Sequence, residues 1–355
     1  MLSKPKPKIR VLIVDDSSLV RHILSDGINA DPDLEVVGTA PEPFTARDKI
    51  VRLKPDVMTL DVDMPRMDGV EFLRRLMPQY PIPVVMVSSL TQRGKKITLD
   101  ALDAGAVDFV SKPGMDISRG LQGMMTELCT KIKIASSANV SHWKNKKLIL
   151  PSQRRLQDNG SLTKSADRII AIGASTGGTE AVRIVLSGLP ATTPGIVVVQ
   201  HMPSDFTQMF AERLNACCAM RVKEARSGDR ITSGLALIAP GEQQMTINYT
   251  DGTYKVICKP GEKICGHCPS VEGMMNSVAR QAGARAIGIM LTGMGHDGAD
   301  AMLAMRKAGG RTMAQDEKSS VVFGMPKEAY ERGGAERLVP LDNIAGEIIK
   351  LLSTS

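Results

Sequence analysis

Short apolar runs alternate with helix-period segments through the first 126 residues. Arg10–Val14, Leu34–Gly38, Val57–Leu60, Val84–Val87 and Val107–Val110 read as strands. They are near-continuous in Val, Ile and Leu, as strands buried on both faces are. Between them, 18–28, 44–53, 69–77 and 94–104 carry helical spacing, with Leu19, Ile23 and Leu24 on one face of the first, and a last helix is expected from about Gly120 to Ile134. Five such units predict a doubly wound parallel sheet. A second α/β pattern starts at Arg168, with strands expected at 169–173, 196–199, 236–239, 286–291 and 312–314. Within it, Met245, Ile247 and Tyr249, then Tyr254, Val256 and Cys258, alternate with polar residues around Asp251-Gly252, the signature of a tight β-hairpin. The expected fold class is therefore α/β: two doubly wound parallel-sheet domains, the second carrying a β-hairpin insertion.

Between the two patterns the periodicity lapses into polar and basic residues, which divides the 355-residue chain into domains at 8–126 and 166–355 joined by a linker at 127–165. Charge sharpens this division. The total is +7, yet residues 1–126 hold 17 basic and 17 acidic side chains, residues 166–355 hold 20 and 19, and the linker holds 8 and 2. The basic excess is thus a property of the linker, around Lys144, Lys146, Lys147, Arg154 and Arg155. Nearly neutral domains and 3% aromatic residues argue against a nucleic-acid partner. No apolar run reaches the roughly 18–20 residues of a membrane span, and Val11–Val14 is too short for a secretory signal core, so a cytoplasmic location is expected.

Candidate chemistry gathers beyond the carboxyl ends of strands, where open parallel sheets bind ligands. In the first domain Asp15-Asp16, Asp61, Ser88-Ser89 and Lys112-Pro113 occupy such positions. Converging carboxylates there call for a hard cation, and Mg²⁺ suits oxygen ligands. A carboxylate beside it can act as a nucleophile toward phosphorus, with a lysine and a hydroxyl on the phosphate oxygens.

In the second domain Gly173-Ala174-Ser175-Thr176-Gly177 lies on a strand-to-helix turn, the setting of an esterase nucleophile. A phosphate-binding turn or a helix cap has the same local pattern. Among five histidines, His201 ends the next strand, and Asp297 lies in the loop after the strand at 286–291. Ser175, His201 and Asp297 can therefore assemble as nucleophile, base and orienting acid. His296 is a rival base, disfavoured because it adjoins the acid in sequence. Cys258, Cys265, His267 and Cys268 have partial zinc-ligand spacing but no second spaced pair, so buried or incidental thiols are expected, with a redox role for Cys265 and Cys268 left open.

Two family resemblances rest on these residues. Val14–Ser17, Leu60–Pro65, Met67–Gly69, Ser88-Ser89 and Val110–Pro113 resemble a two-component receiver domain, of flavodoxin-like fold. The resemblance implies Asp61, not Asp63, as phosphoacceptor, Asp15, Asp16 and Asp61 as Mg²⁺ ligands, Ser88 and Lys112 as the phosphate-sensing pair, and Phe109 at the aromatic switch position. Gly173–Glu180, Gln200–Pro203, Ile238–Gly241, Pro269–Val271, Leu291–Gly298 and Val322–Pro326 resemble the catalytic domain of the chemotaxis protein-glutamate methylesterases, a Rossmann-like serine esterase. That family's pattern implies Ser175, His201 and Asp297 as the catalytic residues, the backbone near Met294 as oxyanion donor, and no cofactor for the ester chemistry. It further implies methyl-accepting chemotaxis receptors as substrates, glutaminase activity, phosphorylation by a histidine kinase, and relief of an esterase cleft covered by the unphosphorylated receiver. The alternative from another class is a receiver-controlled, non-catalytic receptor-binding module.

Overall fold

The structure is a computed structural model that describes residues 7–64, 67–89, 91–112, 117–144 and 167–353. Pro65, Pro113, Lys146, Lys147, Arg154 and Arg155 lie outside the described residues. The chain divides into two compact units, Met1–Leu148 and Ile149–Ser355.

In the first unit, strands β1 (Ile9–Val14), β2 (Leu34–Ala40), β3 (Val57–Asp61), β4 (Val84–Ser88) and β5 (Asp108–Ser111) form one sheet in the order β2-β1-β3-β4-β5. Every pairing is parallel. Helices α1 (Ser18–Asn29), α2 (Pro43–Leu53), α3 (Gly69–Leu76), α4 (Gln92–Asp103) and α5 (Ile117–Ala135) make the crossovers. The central strands are fully buried, as their apolar runs require. Helix starts follow the sequence: Ser17, Asp68 and Thr91 each accept a backbone N–H as N-caps of α1, α3 and α4.

The expected last helix is present as α5, and it runs through the expected domain boundary at residue 126 to Ala135, with Leu128, Ile132 and Ala135 buried at helical spacing. Beyond it Trp143 is buried in a short 3₁₀ turn, with its ring against Gly105. Residues 127–144 therefore belong to the first compact unit, tied there by apolar burial that outweighs the segment's polar composition.

In the second unit, strands β6 (Ile169–Ala174), β7 (Ile196–Gln200), β8 (Arg221–Glu224), β9 (Leu235–Ile238), β12 (Ala286–Met290), β13 (Arg311–Gln315) and β14 (Leu338–Val339) form a sheet ordered β14-β13-β12-β6-β7-β9-β8. All its pairings are parallel. Helices α6 (Gly178–Ser187), α7 (Ser204–Cys217), α8 (Val271–Ala282), α9 (Ala299–Lys307), α10 (Met325–Glu331) and α11 (Leu341–Ser353) accompany it. The insertion is the antiparallel hairpin β10 (Gln244–Thr250) and β11 (Thr253–Lys259). Its turn residues Asp251 and Gly252 both have positive φ, which matches the twist of the flanking strands. Met245, Ile247, Tyr254, Val256 and Cys258 line the buried side, against α8 residues Met274, Met275 and Val278. No described helix is long and apolar enough to cross a membrane.

Candidate functional sites

In the first unit β1 and β3 are adjacent, so Asp15, directly after β1, and Asp61, the last residue of β3, come together at the carboxyl edge. A carboxylate oxygen from each of Asp15, Asp16 and Asp61 lies within 4.8 Å of the others. Lys112 Nζ reaches this group, 3.1 Å from Asp15 Oδ2 and 2.9 Å from Asp61 Oδ1. Burial raises the pKa of Asp61, and Asp15 adds to that; Lys112 and the Val62 N–H act against it without cancelling it. Burial also disfavours the charge on Lys112, but Asp61 and Asp15 outweigh it and raise the lysine's pKa. Three carboxylates facing one ammonium leave excess negative charge, and the all-oxygen donor set fits a hard divalent cation. Gly69 is required nearby, since a Cβ there would lie 2.6 Å from the Asp61 carbonyl oxygen.

Ser88 ends β4, one residue beyond Val87, the partner of Asp61 in the sheet. Its hydroxyl accepts from Thr98 Oγ1 at 2.6 Å and faces the Ser89 and Gly94 carbonyls at 3.3 and 3.4 Å. Ser88 is thus engaged with α4, and no hydrogen bond among the described residues joins it to Asp61. Phe109 is buried on β5. Asp63 is exposed and outside the acidic group.

In the second unit β6 lies between β12 and β7, and the three candidate side chains follow these three strands. Ser175 sits between β6 and α6, its N–H donating to the Thr292 carbonyl (3.0 Å) and its carbonyl accepting from Gln200 Nε2 (2.8 Å). His201 follows β7 and donates its backbone N–H to Ala174 (3.0 Å), which brings it beside the Ser175 turn. Gly293 permits close approach of the third loop, since a Cβ there would lie 2.7 Å from Ser175 Cβ.

The buried Asp297 carboxylate lies 2.8 Å from His201 Nε2. It also accepts from the Ser270 hydroxyl (2.8 Å) and from the N–H groups of Val271 (2.8 Å) and Glu272 (2.9 Å). Burial pushes the Asp297 pKa up, but His201 and these donors outweigh it and the net direction is down. An ionised carboxylate only accepts, so His201 Nε2 carries the proton. Nδ1 is then the lone-pair nitrogen, and it has no hydrogen-bond partner among the described residues. His296 is exposed. Met294 is also exposed, and its N–H makes no hydrogen bond among the described residues. Cys258 is buried in the hairpin core, whereas Cys265 is exposed at a turn, and neither belongs to a metal-sized cluster among the described residues.

Sequence reasoning missed two contributors from one short segment: Ser270, with its following N–H groups, and His267, whose ring stacks on His201 with centroids 3.7 Å apart and planes 9° off parallel. Ser270 leaves a local trace, since it caps α8 by accepting from Gly273 N–H. The stacking leaves none.

A hydroxyl on a strand-to-helix turn, an imidazole just past the adjacent strand with one unpartnered nitrogen, and a buried carboxylate bonded to that imidazole are the side chains that serine hydrolases use. Comparison with known proteins specifies the site further. Residues 170–348 match the CheB methylesterase family and residues 11–120 the response regulator receiver domain. The protein-glutamate methylesterase/protein-glutamine glutaminase of Syntrophotalea carbinolica is 64% identical over 346 residues, 98% of each chain. The protein of that name from Escherichia coli K12 is 48% identical, over 98% of this chain and 97% of the relative. The crystal structure of the Thermotoga maritima CheB methylesterase catalytic domain, 35% identical, covers 52% of this chain and 98% of its own with a TM-score of 0.51. The chain belongs to the CheB methylesterase family, with a receiver domain preceding the esterase.

Proposed function

We propose that Ser175, His201 and Asp297 carry the protein-glutamate methylesterase and protein-glutamine glutaminase reactions of this family, and that phosphorylation of Asp61 raises their rate. The observation that carries the reading is the 2.8 Å bond from Asp297 to His201 Nε2, which leaves Nδ1 without a partner among the described residues, just past the strand that neighbours the one before Ser175. Ser175 Oγ attacks the side-chain ester carbonyl of a methylated receptor glutamate while His201 Nδ1 takes its proton. The tetrahedral oxyanion is met by backbone N–H groups, that of Met294 among them. Methanol leaves with the proton from His201. Water, deprotonated by the same nitrogen, then hydrolyses the acyl-enzyme to free glutamate. A glutamine side chain follows the same course and releases ammonia.

In the receiver, Asp15, Asp16 and Asp61 would hold Mg²⁺, which supplies charge neutralisation for phosphoryl transfer to Asp61. Lys112, already at Asp61, takes a phosphate oxygen, and Ser88 turns from Thr98 to do the same. The phosphodonor is a histidine kinase, the substrates are chemotaxis receptors, and the protein works in the cytoplasm. The deciding experiment mixes the protein with methyl-labelled receptor, with and without Mg²⁺ and a small phosphodonor, and measures methanol. Release should rise with phosphodonor and vanish in Ser175→Ala. Equal release from Ser175→Ala would overturn the nucleophile assignment.

A further inference from the structure

Resting on that assignment of His201 as base, we propose that His267 is a positioning residue whose ring, stacked flat on His201, fixes the plane in which His201 exchanges protons with Ser175 and the leaving group. One hydrogen bond, to Asp297, anchors the His201 ring, and the opposite nitrogen has no partner among the described residues. With Cγ fixed by the chain and Nε2 by Asp297, the ring plane can still rock about the line joining them. Parallel contact at 3.7 Å and 9° blocks that rocking without occupying Nδ1.

His267 is itself held firmly. Its backbone exchanges two hydrogen bonds with Ile264, at 3.0 and 2.9 Å, closing a tight turn in which Cys265 and Gly266 both have positive φ. Its carbonyl accepts from Gln244 Nε2 at 3.1 Å, and Gln244 Oε1 accepts from Ser270 N–H at 3.0 Å. One segment, 264–272, thereby delivers a ring to the face of His201 and three donors to Asp297.

The ring is also suited to the task electrically. Burial, then the neighbouring His201, pulls the His267 pKa down to about 4. It stays neutral when His201 accepts the Ser175 proton, so the stack does not turn into a like-charge contact.

The test measures methanol release by the full-length protein, with Mg²⁺ and phosphodonor, for His267→Ala, His267→Gln and His267→Phe. Aromatic pairing of ordinary strength predicts that Ala and Gln lower kcat about three- to tenfold with KM nearly unchanged. Phe, which restores a neutral ring without nitrogens, should recover most of the loss. Wild-type kcat in His267→Ala, a loss confined to KM, or a Phe variant no better than Gln would each overturn the proposal. If the Ala variant does not fold, the Phe–Gln comparison decides alone. His201→Ala in the same assay separates the two readings: if it remains active, the base assignment itself fails, whatever His267 does.

Discussion

Replacing Asp297 by Asn tests the geometry on which the esterase site rests. Two donors converge on each carboxylate oxygen: His201 Nε2 and Val271 N on Oδ2, Ser270 Oγ and Glu272 N on Oδ1. An amide offers one oxygen and one NH₂. His201 can change tautomer and Ser270 can rotate, but the two backbone N–H groups cannot turn away, so either amide orientation sets NH₂ against one of them. An orphaned buried donor costs about 1–3 kcal/mol, and loss of charge weakens the remaining bonds by roughly half. Relief from burying a charge offsets part of this, and the downward pKa of Asp297 shows that the donors win overall. We expect a net loss of about 3 kcal/mol, or at least about 6 °C in the melting temperature of the esterase domain. The sign follows from linkage. A carboxylate with a lowered native pKa contributes stability above its unfolded value, about 3.9, and loses it as pH falls through the native value. The melting gap between Asp297→Asn and wild type should be constant from about pH 5 to 7 and close below about pH 4. Methanol release should fall at least about 100-fold, because His201 loses its fixed tautomer. A variant that melts with wild type at pH 7 would refute the four-donor account.

Asp61→Asn should abolish stimulation by a small phosphodonor while leaving the unstimulated rate of methanol release; persistent stimulation would place the acceptor elsewhere. Trp143 is the only tryptophan, buried against Gly105, where φ is +112° and a Cβ would lie 3.0 Å from the indole. Gly105→Ala should therefore destabilise the receiver by about 2 kcal/mol and expose the indole, seen as a lower denaturant midpoint and red-shifted fluorescence. His267 gives a second pH signature. Its native pKa of about 4 lies below the unfolded value of about 6.5, so its contribution is complete above pH 6.5 and is lost as pH falls toward 4. His267→Phe removes that dependence and should gain about 1–2 kcal/mol relative to wild type between pH 6.5 and 4, after discounting for partial solvent exposure; parallel melting profiles would contradict it.

Most strands were legible because burial on both faces writes itself as unbroken Val, Ile and Leu. Strand β8, Arg-Val-Lys-Glu, has one buried residue and lies at a sheet edge, and β14 has two residues, so neither carries a pattern to detect. The end of the first unit is harder to read: the helical spacing to Ile134 is legible and α5 ends at Ala135, but the basic, polar composition of the same stretch sets the expected boundary at 126, before the buried Trp143. Ser175 and His201 stand out in the sequence because each directly follows a recognisable strand, and Asp297 because it is an acid in the loop after a third. His267 and Ser270 do not, since their roles depend on where a turn between the hairpin and α8 docks. That docking is a tertiary fact with no local period.

The two carboxylates at the centre of the two sites show how similar placements serve opposite chemistry. Asp61 ends β3 and Asp297 lies in the loop after β12, both parallel strands, and burial pushes the pKa of each upward. Asp297 meets four donors, which use its lone pairs and hold it ionised. Such a group is a poor nucleophile and a good anchor, suited to orienting His201 and to capping α8. Asp61 receives one backbone N–H and one lysine, and it faces the carboxylate of Asp15. Among the described residues its remaining lone pairs have no donor and its charge is under-compensated, which favours a cation and leaves an oxygen able to attack phosphorus. The number and kind of donors around each aspartate, more than its position, therefore fit Asp61 to the proposed role of phosphoacceptor and Asp297 to that of orienting acid. Removing one donor from Asp297, by Ser270→Ala, should accordingly raise its pKa and weaken its hold on His201 before it unfolds the domain.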